Sequence, residues 1–254
     1  MSAHLKAGLA LIVSIAVAIG LNSNAIAQQT IAVGVTTTGI PFTFVDTKTQ
    51  KPTGAMVDLA DAIAEDNGLT AKFELTAFSA LVPSLTTRKI DMISAGMLVT
   101  AARKEIVDFS DPVYSYGEAM FVADSDKKNY TREDLKDETI GAQVGTSFAD
   151  ALKKTGLFKE VKLYDSIADI TREVKLGRIK AGFGDAPIIA YQISQNPDLG
   201  VRIVEGYKPL VLGDLALAVR KDDPELLRKV NASIAKFKQN GKLAAILTKY
   251  SLAK

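Results

Sequence analysis

An arginine at the start of a predicted helix is the first candidate for chemistry in this sequence. Ile90–Ser94 predicts a strand and Thr100 is typical of a helix N-cap, so Arg103 falls in the first turn of the next helix. The unpaired N–H groups and the positive dipole there disfavour a cation by roughly 0.3–1 kcal/mol. A bound carboxylate would receive hydrogen bonds from both the backbone and the guanidinium. The alternative is a partly solvated surface arginine.

A second candidate anion site lies at Gly145-Thr146-Ser147. This tripeptide follows a predicted strand, Ile140–Val144, and precedes a predicted helix, Phe148–Lys154. The free N–H groups of a helix N-terminus bind anions readily. Ordinary turn and capping chemistry is the alternative, and it is the more common role of such residues.

A carboxylate follows a third predicted strand. Asp185 comes after Arg178–Phe183 and before Pro187, which favours the first turn of a helix, so Asp185 is either a plain N-cap or a functional group. If the strands are parallel, their carboxyl ends meet at one edge of a sheet. Arg103 would then bind the α-carboxylate of a zwitterion and Asp185 its α-ammonium, which together make an amino-acid clamp.

The elements that would position these residues alternate along the chain. The predicted strands also include Ile31–Thr36, Phe42–Val45, Ala71–Thr76 and Val201–Val204, and the predicted helices include Met56–Asp66 and Ser79–Arg88, the latter capped by Ser79. Thr131–Asp134 resembles a capping box at the start of the second half, where the pattern begins afresh. This alternation predicts an α/β fold, and the restart indicates two lobes.

The N-terminal residues indicate export. Lys6 supplies a positive charge, an apolar run follows over Ala7–Leu21, and Ala25-Ile26-Ala27 fits the small-x-small rule of signal peptidase. We therefore expect residues 1–27 to be a signal peptide that is cleaved after Ala27, and the protein to be periplasmic. A membrane anchor is the alternative, but the run is shorter than the roughly 20 residues that a spanning helix needs.

Composition excludes several kinds of chemistry. The chain has 31 Lys and Arg against 29 Asp and Glu, which gives no reason to expect a nucleic-acid partner. It has no cysteine, so disulfides and cysteine chemistry are excluded. Its one histidine, His4, lies in the predicted signal peptide. We expect no metal, no cofactor and no Ser-His catalytic arrangement.

A set of short segments, in their order and spacing, carries a family resemblance. The segments are Ile40–Phe44, Gly54–Ala60, Leu81–Leu85, Lys89–Ile93, Gly96-Met97, Arg103-Lys104, Val107–Pro112, Gly145–Ser147 and Ala218–Pro224. Together they resemble the periplasmic solute-binding proteins of polar amino-acid ABC transporters, family 3. The resemblance covers essentially the whole chain after residue 27.

The resemblance implies a two-lobe periplasmic-binding-protein fold of type II. Each lobe would be a mainly parallel sheet flanked by helices, with two crossings between the lobes. The first lobe would comprise residues 28–121 and 214–254, and the second residues 127–208. Hinge regions would lie near residues 122–126 and 209–213.

The resemblance also implies a ligand site made from both lobes. Arg103 would bind the carboxylate, with backbone groups near Gly96 and Leu98, and Asp185 would meet the ammonium. Thr146 and Ser147 would add contacts from the second lobe. The remaining positions are Phe78 as an aromatic wall, with plain packing as its alternative, and Thr36 and Gln143 as residues that read the ligand's side chain.

Three residues depart from the family pattern. Leu98 stands where Ser or Thr is usual, Gly39 replaces an aromatic that covers the ligand, and Met56 replaces an Asp. The amine side of the clamp is therefore weaker than usual. A bulkier, more apolar or modified ligand would suit such a pocket.

The leading functional hypothesis is capture of an amino acid or derivative by a monomer that closes on it and delivers it to an integral-membrane ABC permease. One alternative is an enzyme on the same fold that resembles cyclohexadienyl dehydratase. Such an enzyme needs a general acid in the cleft, and Ile188 stands where those enzymes place a carboxylate. A solute sensor is the other alternative.

Overall fold

The computed structural model describes residues 29–253. The predicted signal peptide, residues 1–27, and its cleavage site after Ala27 lie outside the described residues. Within residues 29–253, none of the helices combines the length and the apolar character needed to cross a membrane.

Strands and helices alternate as the sequence predicts. In chain order the strands are β1 (Thr30–Val35), β2 (Thr38–Gly39), β3 (Thr43–Val45), β4 (Pro52–Thr53), β5 (Thr70–Leu75), β6 (Met92–Ile93), β7 (Val107–Phe109), β8 (Tyr114–Ala123), β9 (Thr139–Gln143), β10 (Glu160–Tyr164), β11 (Ala181–Asp185), β12 (Val201–Ile203), β13 (Leu212–Leu215) and β14 (Ala218–Arg220). The α-helices are α1 (Ala55–Asp66), α2 (Leu81–Thr86), α3 (Ala101–Lys104), α4 (Ser147–Lys154), α5 (Ile167–Lys175), α6 (Ala186–Gln195), α7 (Pro224–Gln239) and α8 (Lys242–Lys249). Short 3-10 helices lie at Phe78–Ala80, Glu133–Leu135 and Pro197–Leu199.

Two sheets with the same layout form the two lobes. The first has the order β5-β1-β6-β14-β7 and the second β10-β9-β11-β8-β12. In the first, β1 is parallel to β5 and β6, whereas β14 is antiparallel to both of its neighbours. In the second, β9 is parallel to β10 and β11, whereas β8 is antiparallel to its neighbours. Four of the five strands in each path therefore run in one direction.

The single reversed strand in each sheet comes from the connections between the lobes. Strand β8 enters the second lobe and β14 returns to the first. Residues 114–117 of β8 pair antiparallel with β13, while Glu118–Ala123 pair with β11 and β12 of the second sheet. Residues 118–121 thus pair with the second sheet, whereas the sequence-based boundaries place them in the first lobe.

A buried face on α1 illustrates how the core forms. Met56, Leu59 and Ile63 recur at helical spacing and are each at most 3% exposed. Helix α1 packs against strands β1 and β5 and also contacts helices α7 and α8. Met56, one of the departures from the family pattern, is therefore a core residue. Its backbone carbonyl accepts a hydrogen bond of 2.7 Å from the hydroxyl of Ser94.

The structure contains the helix caps predicted at Thr100 and Thr131 but not the one predicted at Ser79. Thr100 is the N-cap of α3, and its hydroxyl accepts a hydrogen bond from the N–H of Arg103 at 3.2 Å. Thr131 and Asp134 form the reciprocal bonds of a capping box. The predicted cap at Ser79 is wrong, because a 3-10 helix covers Phe78–Ala80 and α2 begins afterwards without a side-chain cap.

Candidate ligand-binding site

Nine residues line a small cavity between the two lobes, which we call the clamp pocket. They are Phe78, Gly96, Leu98, Arg103, Tyr116, Thr146, Ser147, Phe148 and Asp185. Most of them follow the carboxyl ends of the parallel strands β5, β6, β9 and β11, the usual place for a ligand in such sheets. Seven of the nine are residues that the sequence singled out.

Arg103 spans the cleft between the lobes. Its Nη1 donates to the carbonyl of Leu98 at 2.5 Å and its Nη2 to the carbonyl of Gly145 at 3.0 Å. The guanidinium carbon lies 5.7 Å from the centre of the Phe78 ring, within range of a cation–π contact. Within residues 29–253, no carboxylate oxygen lies within 4.0 Å of this guanidinium.

The helix that carries Arg103 is only one turn long. Since α3 spans Ala101–Lys104, Arg103 belongs to its last turn as much as to its first. A single turn aligns few peptide dipoles, so the helix-dipole argument made from the sequence has little force here. What singles out Arg103 is its position in the cleft and the lack of an ion-pair partner in the described part of the chain. Burial lowers the pKa of Arg103, but a guanidinium remains charged near neutral pH.

Asp185 is the carboxylate of the pocket and is 5% exposed. It occupies the N-cap position of α6 but makes no side-chain cap hydrogen bond. Instead it is hydrogen-bonded to the hydroxyl of Tyr116, which also lies 2.7 Å from the carbonyl of Gly96. Burial raises the pKa of Asp185 to about 6, although the Tyr116 hydrogen bond and the charge of Arg103 act in the opposite direction.

Counting protons shows how this chain of groups can be satisfied. The Tyr116 hydroxyl has one proton, while a carbonyl and an ionised carboxylate are both acceptors. When Asp185 is protonated, it donates to the oxygen of Tyr116, and Tyr116 donates to Gly96. When Asp185 is ionised, the two acceptors share a single donor. The Gly96 carbonyl and Asp185 therefore compete for the one Tyr116 proton above about pH 6, where the carboxyl is mainly ionised.

Thr146 and Ser147, which the second lobe contributes to the pocket, differ in whether their hydroxyl groups are already hydrogen-bonded. Thr146 is the N-cap of α4, and its hydroxyl accepts from the N–H of Ala149 at 3.2 Å and donates to the carbonyl of Gln143 at 2.7 Å. Its side chain therefore performs the capping chemistry that the sequence left open. The hydroxyl of Ser147 has no hydrogen-bond partner within the described part of the chain and remains open to a ligand.

Leu98 contributes an apolar wall. It is 2% exposed and forms an isolated antiparallel bridge with Leu215, where β13 passes. Its backbone is held there by the hydrogen bond from Val99 to Asp214, 2.8 Å long. The backbone carbonyl of Leu98 thus accepts a hydrogen bond from Arg103, whereas the Leu98 side chain has no polar atom that could bind a ligand.

Two predicted site residues do not line the clamp pocket. The Thr36 hydroxyl lies 2.6 Å from the hydroxyl of Thr43, and Thr36 is 7% exposed. Gln143 donates from its side-chain amide to the carbonyl of Asp165 at 2.8 Å. Both side chains are engaged within their own lobes.

The clamp pocket is nearly filled by the protein itself. Its free volume is about 10 Å³, which is the space of about one water molecule. The lobes are therefore closed on each other in this structure. A ligand larger than water requires them to separate.

Comparison with known proteins identifies the family. The model of the bacterial extracellular solute-binding proteins, family 3, matches residues 31–253. The chain belongs to this family. The ABC transporter arginine-binding protein 1 of Escherichia coli strain K12 is 32% identical over 216 residues, which cover 85% of this chain and 88% of that protein.

Solved structures share the fold of this solute-binding protein. An ancestral arginine-binding protein bound to arginine is 35% identical with a TM-score of 0.81, and the match covers 87% of this chain and 97% of the other. A second structure of an ancestral arginine-binding protein, bound to glutamine, has the same identity and TM-score and covers 88% and 98%. An ancestral amino acid-binding protein described as a precursor of cyclohexadienyl dehydratase is 31% identical, with a TM-score of 0.80 and coverage of 89% and 96%.

Sequence reasoning missed two residues of the pocket in this solute-binding protein. Tyr116 lies on β8, within the residues assigned to the first lobe and before the predicted hinge at 122–126, and Phe148 was predicted only as the start of a helix. A signal for Tyr116 was available. Tyr114 and Tyr116 alternate on an apolar strand leading into the second lobe, and a crossing strand passes the cleft that separates the lobes.

Proposed function

We propose that this solute-binding protein captures a small carboxylate of the amino-acid class and delivers it to an ABC permease. The observation that carries the proposal is Arg103, a half-buried cation between the lobes with no carboxylate partner among residues 29–253. An unpaired cation that is withdrawn from water is costly. A ligand carboxylate would bind both guanidinium edges and offset that cost.

Closure of the lobes would couple binding to transport. Arg103 of the first lobe bonds to Gly145 of the second, so a ligand on Arg103 lies where the lobes meet. A ligand that contacts both lobes stabilises the closed state over the open one. We propose the paired crossing strands at residues 114–117 and 212–215 as the bending region. Residues 118–121 separate the first segment from the predicted hinge at 122–126, and the second segment overlaps the predicted hinge at 209–213.

The proposal also includes the protein's location and its membrane partner. The protein would be exported by the signal peptide at residues 1–27 and cleaved after Ala27, and it would act as a periplasmic monomer. An integral-membrane ABC permease would recognise the closed form. The names of the relatives support arginine and glutamine as the first ligands to try.

Binding is favoured over catalysis by the lining of the pocket. The dehydratase-like alternative places a carboxylate at the position of Ile188, which here is a buried side chain, 5% exposed, on α6. Conversion of prephenate or arogenate by the purified protein would establish catalysis instead. We expect no product above the uncatalysed rate.

The decisive experiment is a thermal-shift screen of amino acids and related carboxylates, followed by calorimetry on each hit. Arg103→Ala should weaken binding by at least about 30-fold, since loss of one partner of a buried charge pair costs about 2 kcal/mol or more. Arg172→Ala is the matched control, because Arg172 is exposed and forms an ion pair with Asp169 outside the clamp pocket. Binding that is equal in wild type and Arg103→Ala would refute the role of Arg103.

A further inference from the structure

The two acceptors that face each other across the clamp pocket are already occupied by the protein. The Gly96 carbonyl and one oxygen of Asp185 both bond to the Tyr116 hydroxyl. The Leu98 carbonyl is taken by Arg103. These are the lining groups that would otherwise receive the N–H groups of an ammonium.

Tyr116 is fixed in this position by its ring. The ring stacks on Phe42 with centres 5.4 Å apart, and it lies 6.1 Å from the ring of Tyr114. Tyr116 is 5% exposed, and Phe42, at 1% exposed, belongs to the first lobe's core. Rotating Tyr116 out of the pocket would require this aromatic cluster to repack, which cores resist.

An α-ammonium would therefore compete with the Tyr116 hydroxyl for the same two groups. Its three N–H donors would have to reach the Gly96 carbonyl and Asp185 from the point where the Tyr116 hydroxyl already bonds to both groups. The hydroxyl of Ser147 is a further acceptor in the lining. Leu98 supplies an apolar side chain and no further acceptor. A hydroxyl of nearly the same size already stands where the ammonium would contact the Gly96 carbonyl and Asp185 together. A buried ammonium displaced from this position would lose hydrogen bonds, and a buried charged donor with missing partners is costly.

We propose that the Tyr116 hydroxyl occupies the position of an α-ammonium, so that the protein selects amino-acid derivatives whose α-carbon carries no ammonium group. Des-amino, α-hydroxy and α-keto acids belong to this class. The proposal rests on the proposed function, because it requires that Arg103 bind a ligand carboxylate. It makes Tyr116 the residue that sets specificity at the α-carbon.

The test uses matched pairs of ligands in calorimetry. L-Arginine, L-glutamine and L-alanine are each compared with their des-amino, α-hydroxy and α-keto analogues. Wild type should bind the ammonium-free member of at least one pair about tenfold tighter or more. Tyr116→Phe keeps the stacked ring but removes the hydroxyl, leaving a space of ammonium size beside Asp185. This variant should shift the ratio at least about tenfold toward the amino acid.

Tyr114→Phe is the matched control, because Tyr114 lies on the same strand and in the same ring cluster but outside the clamp pocket. It should leave the ratio unchanged. Tighter binding of the amino acid by wild type, or an unchanged ratio in Tyr116→Phe, overturns the inference while leaving carboxylate capture intact. Binding only after Tyr116→Phe also overturns the assigned ligand class. No binding to either wild type or Tyr116→Phe refutes the proposed function together with the inference.

Discussion

The two charged residues of the clamp pocket are in opposite situations. Arg103 is a cation without an ion-pair partner in the described chain, and it relies on the carbonyls of Leu98 and Gly145. Asp185 is a buried carboxyl whose nearest polar partner, Tyr116, is neutral. Although the two residues share one pocket, they do not form a salt bridge within 4.0 Å of each other. The positive charge of Arg103 is therefore left without a counter-charge from the described part of the chain.

Replacing Asp185 should stabilise the protein in a pH-dependent way. Its pKa is about 6 in the folded state against an ordinary value of 3.8, so the folded state binds more protons between these values. Wild-type stability is thus lowered as pH rises from about 4 to 6 and stays lowered above. Asp185→Asn cannot ionise and should be more stable at pH 7 by up to about 3 kcal/mol.

Urea unfolding of both proteins across this pH range measures the difference. The free energies of unfolding of wild type and Asp185→Asn should converge near pH 4. Asp165→Asn is the control, because it makes the same change of side chain at an exposed position outside the clamp pocket. A difference between wild type and Asp185→Asn that does not change with pH would contradict the prediction.

At the scale of elements, the ends of strands and helices build the site. Helix α4 brings Thr146 and Ser147 to the pocket because it begins directly after the turn that follows β9. Thr146 uses both functions of its hydroxyl to fix that turn, one toward Gln143 and one toward Ala149. The free hydroxyl of Ser147 is therefore held in place by a neighbour that performs a structural role.

Removing this cap should weaken the second lobe. Thr146→Ala loses both hydrogen bonds and should lower the free energy of unfolding by about 1 kcal/mol, the usual cost of an N-cap. Thr146→Ser keeps the hydroxyl and should stay close to wild type. Chemical denaturation of the three proteins provides the comparison. Equal stability of the Ala and Ser variants would show that the hydroxyl does not cap α4.

At the scale of the whole molecule, closure depends on close approach of the lobes at Gly145. Its φ of 78° is in the left-handed region that favours glycine. A Cβ added there would lie 2.9 Å from the Cα of Ser79 in the first lobe, closer than real contacts allow. Backbone atoms cannot move aside as a flexible side chain can, so the contact opposes closure directly.

Gly145→Ala should therefore shift the molecule toward the open state. Affinity for the ligand should fall by at least about tenfold, and small-angle scattering should show a larger radius of gyration. Gly156→Ala is the control, since its φ is 62° and nothing lies within 4 Å of an added Cβ. It carries the same backbone strain without the contact. Equal affinity in the two variants would refute the steric account.

The sequence was most informative where the chemistry is local. Thr100 was predicted as an N-cap and is one, because a cap depends on residues three positions apart. The α/β alternation and the family follow from the pattern of segments over the whole chain. The sequence was least informative for Thr36 and Gln143, because it supplies residue types without distances. Their side chains form hydrogen bonds to Thr43 and Asp165.

By itself, the sequence determined the family, the two-lobe fold and seven of the nine residues that line the clamp pocket, because strand and helix signals are local and parallel strands place their ends together. Only the tertiary structure decided how those residues are used. It brought Tyr116 from a crossing strand to Asp185, and it left Arg103 with no carboxylate partner among the residues that the structure describes. Such contacts join residues far apart in the chain, and their geometry depends on how the two lobes pack.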